Sequence, residues 1–195
     1  MRRQVLKLTS PIPPSVNHYL GYRCVIKSNR PMVMPYKTAE AKQYQRNFTQ
    51  YVKREVKAQG WVKSTNKSQH YYMDCVYYFN RVDMDANNYF KCMADAITDS
   101  KSVWNDDTQL CERVQGIFYD NVNPRIEITI TEVDYIGVLQ NEKELDLLDT
   151  QCNTCNRNIE KCKVRKAALE GRVHCDIRAG VCPKYLTRDL KKKRK

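Results

Sequence analysis

The chain has 195 residues, 42% of them hydrophobic, and carries 34 Lys and Arg against 22 Asp and Glu, a formal net charge of +12. That length holds one full domain plus something smaller and excludes two ordinary domains. No run approaches the roughly 18 to 20 apolar residues of a membrane span, and the basic MRRQVLKLTSPIPPS has no apolar block of secretory length, so the expectation is a cytoplasmic protein with no membrane partner. The basic excess points to a polyanion, because clustered Lys and Arg release counterions from a phosphate backbone.

QVLKLTS, residues 4–10, alternates apolar and polar side chains and predicts a first strand. PIPPSVNHY interrupts, since prolines at 11, 13 and 14 neither complete a ladder nor sit inside a helix. Between Tyr22 and Met34 apolar residues come in pairs with turns between them, which fits a hairpin or a long loop. TAEAKQYQRNFTQYVKREVKAQG predicts a helix with Thr38 as N-cap, an apolar stripe through Ala41, Tyr44, Phe48 and Val52, and Gly60 as its stop. HYYMDCVYYFN, 70–80, rich in aromatic and β-branched residues, is the clearest strand. A short helix is expected from Asn88 to about Thr98. RVQGIFYDNVNPRIEITITEV then gives two strands joined at DNVNP, with Ile126, Ile128 and Ile130 on one face.

This order predicts an α+β domain over 1–135, a mixed β-sheet flanked by helices. NEKELDLLDTQ reads as a short helix in a connecting stretch, 136–148. A small Cys-rich, metal-binding module is expected over 149–190 and a basic tail, KKKRK, over 191–195, an arm that adds nonspecific affinity.

The acids of RVDMDANNYFKCMADAI, 81–97, are the first candidates for chemistry. Asn88, Lys91 and Asp95 are three and four apart and share a helix face, continuing a polar stripe from Asp85. A second acidic pair, Asp106 and Asp107, precedes the next strand. If that strand lies beside the one ending at Asn80, the two acid pairs meet at one edge of the sheet. Asp85 as an N-cap and Asp106 and Asp107 as a polar turn would account for the acids without any chemistry. Alternatively the carboxylates jointly hold one or two divalent cations, hard oxygen donors suiting Mg²⁺ or Mn²⁺.

PPSVNHY at 13–19, the TAEAKQY helix start, DANNYFKCMADAI and WNDDTQ at 104–109 together resemble the RusA family of Holliday-junction resolvases, over about residues 4–134. The family pattern D-x-D-N-x-x-K, then D-A-L, then W-x-D-D-x-Q falls on Asp85, Asn88, Lys91, Asp95 and Asp107. The second acid falls on Asn87, a weaker and uncharged ligand, and Asp83 is the candidate to compensate. The resemblance implies a homodimeric, Mg²⁺- or Mn²⁺-dependent endodeoxyribonuclease that cuts four-way junctions of branched duplex DNA in recombination and repair. Asp83, Asp85, Lys91 and Asp107 are then the catalytic residues. Asp83, Asp85, Asn87 and Asp107 hold the metal, and Asn17, His18, Asn88 and Lys91 contact DNA. The alternative is a catalytically weak junction-binding protein in which Asn87 has cost the site its metal.

The chain has 9 cysteines. Cys24, Cys75, Cys92 and Cys111 are scattered and read as inert thiols; Cys152, Cys155, Cys162, Cys175 and Cys182 are clustered, and in a reducing compartment read as metal ligands. The C-x2-C pair presents two thiolates to one ion, and a second pair completes a tetrahedral Zn²⁺ site. The favoured ligands are Cys152, Cys155, Cys175 and Cys182, with Cys162 or His174 as substitutes. An iron–sulfur cluster is the alternative.

Overall fold

A computed structural model describes residues 4–187; the KKKRK run at 191–195 lies outside the described residues. The chain forms two compact units. The first takes in the described residues up to Lys67 together with Tyr71–Glu132, and the second Ser68–His70 and the described residues from Val133 onward.

In the first unit β1 (Val5–Pro11) leads into a single helical turn, α1 (Val16–Tyr19), then an antiparallel ribbon of β2 (Leu20–Lys27) and β3 (Arg30–Lys37). The ribbon confirms the hairpin reading of the paired apolar residues. Helix α2 (Ala39–Gln59) begins and ends where the sequence says it should. Thr38 Oγ1 accepts from Ala41 N at 3.2 Å, and Gly60 closes the helix at φ 67° in the left-handed region. β4 (Tyr71–Phe79) is followed by a 3-10 turn (Ala86–Asn88) and α3 (Phe90–Asp99). A second 3-10 turn (Asp107–Gln109) runs into β5 (Leu110–Tyr119), and β6 (Arg125–Glu132) ends the unit.

The sheet order is β1-β6-β4-β5. β4 pairs antiparallel with β6 and parallel with β5, so the sheet is mixed. Alternation decides which face is buried: Tyr71, Met73, Cys75, Tyr77 and Phe79 of β4 and Ile126, Ile128 and Ile130 of β6 are all but sealed from solvent. Each Ile, Met or Phe side chain among them contributes about 2 kcal/mol by burial. They pack with Ala41, Tyr44, Phe48 and Val52 of α2 and with Met93 and Ile97 of α3 in one core.

One expectation of strand pairing needs correction. The strands joined at DNVNP do not pair with each other, because β4 lies between them. The crossover β4–α3–β5 forces a parallel pairing, and the chain then returns over the end of β4, where Asp120 N donates to Phe79 O at 2.6 Å. That same pairing sets Leu110 beside Tyr71. Along this register Asp107 precedes the start of β4 and Asp85 follows its end, while Lys91 reaches across to Asp107 at 2.8 Å.

The second unit holds α4 (Glu142–Thr154) and α5 (Lys163–Leu169). Its core is Leu139, Leu148, Ala168, Cys175 and Ile177. The stretch 136–148 is accordingly core and helix, not a connector: Leu139 and Leu148 are fully buried, and α4 continues to Thr154 from an Asn141 cap whose Oδ1 accepts from Glu144 N at 3.1 Å.

Candidate active site

The segment after β4 turns tightly because Asp85 caps the 3-10 turn, its Oδ1 accepting from Asn87 N at 3.0 Å. Tyr89 separates this turn from α3, so Asn88 sits on the turn and Lys91 in the first turn of the helix. Asp83 pairs with Arg81 Nε at 3.0 Å, both side chains about two-thirds exposed. A cleft of about 480 Å³ opens here, lined by Asn17 and His18 from the segment after β1, Glu40 from α2, and Asp83, Asp85 and Asn88. The structure thus brings two of the four predicted catalytic residues, Asp83 and Asp85, together with three of the four predicted DNA-contacting residues, Asn17, His18 and Asn88. Asn87 is exposed and lies outside the cleft lining.

Asp107 belongs to a different cluster. Lys91 Nζ donates to Asp107 Oδ2 at 2.8 Å and stands 2.8 Å from Asp95 Oδ1. Asp95 Oδ2 accepts a short hydrogen bond from the Tyr19 hydroxyl and lies 3.9 Å from Lys37 Nζ. Gln45 closes the network, its Nε2 donating to the Tyr19 hydroxyl at 3.1 Å and its Oε1 accepting from Lys37 Nζ at 2.9 Å. Hydrogen bonds to Asp107 and then Asp95 push the Lys91 ammonium above the usual lysine range. Burial, and next the bond to Asp95, raise the Tyr19 hydroxyl. On the next position of the helix, burial pushes the Cys92 thiol up to about 12, so it is an inert neighbour.

WNDDTQ holds Asp107 in reach of Lys91. Trp104 is fully buried, and its Nε1 donates to Thr98 Oγ1 at 2.7 Å. Asp106 caps the 3-10 turn, accepting from Thr108 N at 3.0 Å, while Gln109 Oε1 accepts from Asp106 N at 3.2 Å. Of the adjacent acids, then, Asp106 is a cap and Asp107 is the partner of Lys91. Tyr19, Lys37 and Gln45 were invisible as site residues in the sequence. Tyr19 is 5% exposed, and only the fold reveals that its hydroxyl ends on Asp95.

Among the described residues no group of three or more His, Cys, Asp and Glu is arranged to hold a metal ion. For Mg²⁺ the chemistry of the cleft still suits, since that ion is commonly held by one or two carboxylates, with water and phosphate oxygens completing the shell. Asp83 and Asp85 supply two. For Zn²⁺ the predicted cysteines divide: Cys175 packs with Leu139, Leu148, Ala168 and Ile177, and His174 is exposed. Cys152, Cys155, Cys162 and Cys182 line one small pocket instead.

A family model described as Endodeoxyribonuclease RusA matches residues 11–131. The chain belongs to the RusA family, a family of endodeoxyribonucleases, and every residue of the cleft and of the Lys91 cluster falls within the match. A comparison with curated proteins finds no match. Apart from Ser68–His70, the second unit lies beyond the matched residues. Among the described residues no helix is long and apolar enough to cross a membrane.

Proposed function

We propose that the chain is a divalent-metal-dependent endodeoxyribonuclease that resolves four-way DNA junctions in recombination and repair, acting as a homodimer. The observation that carries this reading is the Lys91–Asp95–Asp107 cluster next in sequence to a cleft bearing Asp83, Asp85 and Asn88, all in the family's matched region. Phosphodiester hydrolysis develops negative charge on the phosphate. A lysine ammonium, held in one position by two carboxylates and charged at any physiological pH, is suited to stabilise that charge. Asn17, His18 and Asn88 offer donors to phosphate oxygens along the cleft. Asp83 and Asp85 would hold Mg²⁺ or Mn²⁺, which when bound supplies an activated water and neutralises charge. Two such sites related by two-fold symmetry would answer the two strands to be cut, and junction shape more than base sequence would select the substrate.

A second reading, junction binding with weak cleavage, is favoured by the partners the acids already have. Asp85 caps a turn, Asp83 meets Arg81, Asp107 meets Lys91, and Asn87 stands where the family pattern has an acid. Purified protein incubated with a labelled four-way junction in Mg²⁺ or Mn²⁺ separates the two. Symmetric nicks that disappear in Asp85→Asn and Asp107→Asn support the nuclease; a shifted but uncut junction in the wild type supports the binder. Full activity in Asp83→Asn would remove Asp83 from the site.

A further inference from the structure

The second unit is unabsorbed by the nuclease reading, and its cysteines are its densest chemistry. Cys152, Cys155, Cys162 and Cys182 line a single pocket of about 20 Å³, room for one water-sized body. Their backbones are pinned. Cys155 N donates to Cys152 O at 3.3 Å, a turn with a thiol at each end. Tyr185 N donates to Cys182 O at 3.2 Å, a second turn that begins on a thiol, and Cys182 N donates to Gln151 Oε1 at 2.9 Å, beside Cys152 on α4. The chain on either side is tied in as well, by Asn156 N to Leu186 O at 2.9 Å and by the bridge between Cys155 and Thr187. Arg157, Arg165 and Lys184 line the same pocket and would offset part of the charge of thiolates gathered there, although Arg165 also pairs with Asp149 and Lys184 with Asp176.

We propose that Cys152, Cys155, Cys162 and Cys182 bind one Zn²⁺ as a structural tetrathiolate site, with Cys175 a core residue and not a ligand. As placed, the thiols do not yet frame an ion. All four line one pocket, and binding would turn their side chains between staggered rotamers onto the metal. The reason to bind is the size of the unit. Its buried cluster is Leu139, Leu148, Ala168, Cys175 and Ile177, with Val138, Leu145, Val164 and Leu169 among the side chains only partly buried against it, and metal binding free energy becomes folding free energy in small modules of this kind. The small pocket favours a single ion over an iron–sulfur cluster, whose several iron and sulfide atoms need more space.

The test uses the full chain purified without chelator. Elemental analysis should find about one Zn²⁺ per chain, retained in Cys175→Ala and lost in Cys162→Ser and in Cys182→Ser. Because Cys175→Ala empties a core position and can unfold the unit, the wild type is also exchanged into Co²⁺. Intense visible ligand-field bands with strong sulfur-to-cobalt charge transfer, at one Co²⁺ per chain, support four thiolates. Full zinc content in Cys162→Ser overturns the ligand set. A zinc-free wild type that takes up no Co²⁺ after reduction, or a brown protein containing iron, overturns the proposal altogether.

Discussion

The ammonium of Lys91 reaches the carboxylate of Asp107 across a sequence separation of 16 at 2.8 Å, and with its other protons engages Asp95 one helical turn on. That pairing is what unites DANNYFK with WNDDTQ, two motifs that the strand register alone would leave at different ends of β4. The Lys91 side chain is 56% exposed, so its ion pairs add less than about 1 kcal/mol to stability. The sign of its pKa shift is upward, so whatever it adds is fully present below the unfolded lysine value and fades only as pH rises through the folded one.

Lys91→Met should therefore separate chemistry from folding. Cleavage of a four-way junction is expected to fall by about a hundredfold or more, with the melting temperature within a few degrees of wild type and junction affinity little changed. Cleavage within threefold of wild type would take Lys91 out of the reaction.

Tyr19→Phe removes the hydroxyl that joins Asp95 to Gln45. Both partners are largely buried, Gln45 at 7% exposure and the Asp95 side chain at 18%, so the loss leaves polar atoms unsatisfied and should cost about 1 to 3 kcal/mol in denaturant unfolding. A second consequence is positional: Asp95 loses one of the groups that hold it against Lys91, so cleavage should fall more than the stability loss explains. An unchanged unfolding midpoint would mean that the hydroxyl bond is not formed in solution.

The contrast between what these residues show in sequence and in space follows from the range of the forces involved. Helix α2 was legible because its cap, apolar stripe and glycine stop are all local, and β4 and β6 because alternation along one strand reports which face is buried. Strand order was not legible: DNVNP resembles a hairpin connection, and nothing within it states that β4 intervenes. The same limit governed the sites. Asp85, Asn88 and Lys91 sit in one motif, but Tyr19, Lys37 and Gln45 come from three separate elements and converge only through packing. Among the cysteines the C-x2-C pair was readable, whereas the choice between Cys162 and Cys175 depends on which thiol the hydrophobic core of the second unit claims.

Acid stability should depend on Asp74. Its carboxylate accepts two hydrogen bonds from Arg113, at 2.7 and 2.6 Å, and one from Gln115, while the guanidinium lies 3.6 Å from the Tyr72 ring centre. The bonds from Arg113, foremost, hold Asp74 below the usual carboxylate range. A depressed folded value means that the stabilisation is present above the unfolded pKa, about 3.9, and is lost as pH falls through the folded one. Asp74→Asn should be less stable than wild type by about 1 kcal/mol at neutral pH, since Arg113 is partly exposed, and the gap should close toward about pH 2. A gap that stays constant across this range would show that the charge of Asp74 plays no part.

Two glycines test how the two units are built. Gly60 ends α2 at φ 67°, and a Cβ added there meets nothing within 4 Å. Gly60→Ala therefore pays only the left-handed backbone cost, about 1 to 2 kcal/mol, and Gly60→Asn less, because asparagine tolerates that conformation. Gly137 also has a positive φ, 62°, but a Cβ there would stand 1.9 Å from the Ala168 carbonyl oxygen, a backbone atom that cannot swing aside. Gly137→Ala should thus force α5 away from the 137 turn and break the Val138 N to Ala168 O bond, unfolding the second unit while the family-matched residues stay folded. Limited proteolysis followed by mass spectrometry checks both: the Gly60 variants should keep the wild-type pattern, and the Gly137 variant should be cut beyond Glu132. Wild-type resistance in Gly137→Ala would mean that the approach of the 137 turn to α5 is looser than the structure has it.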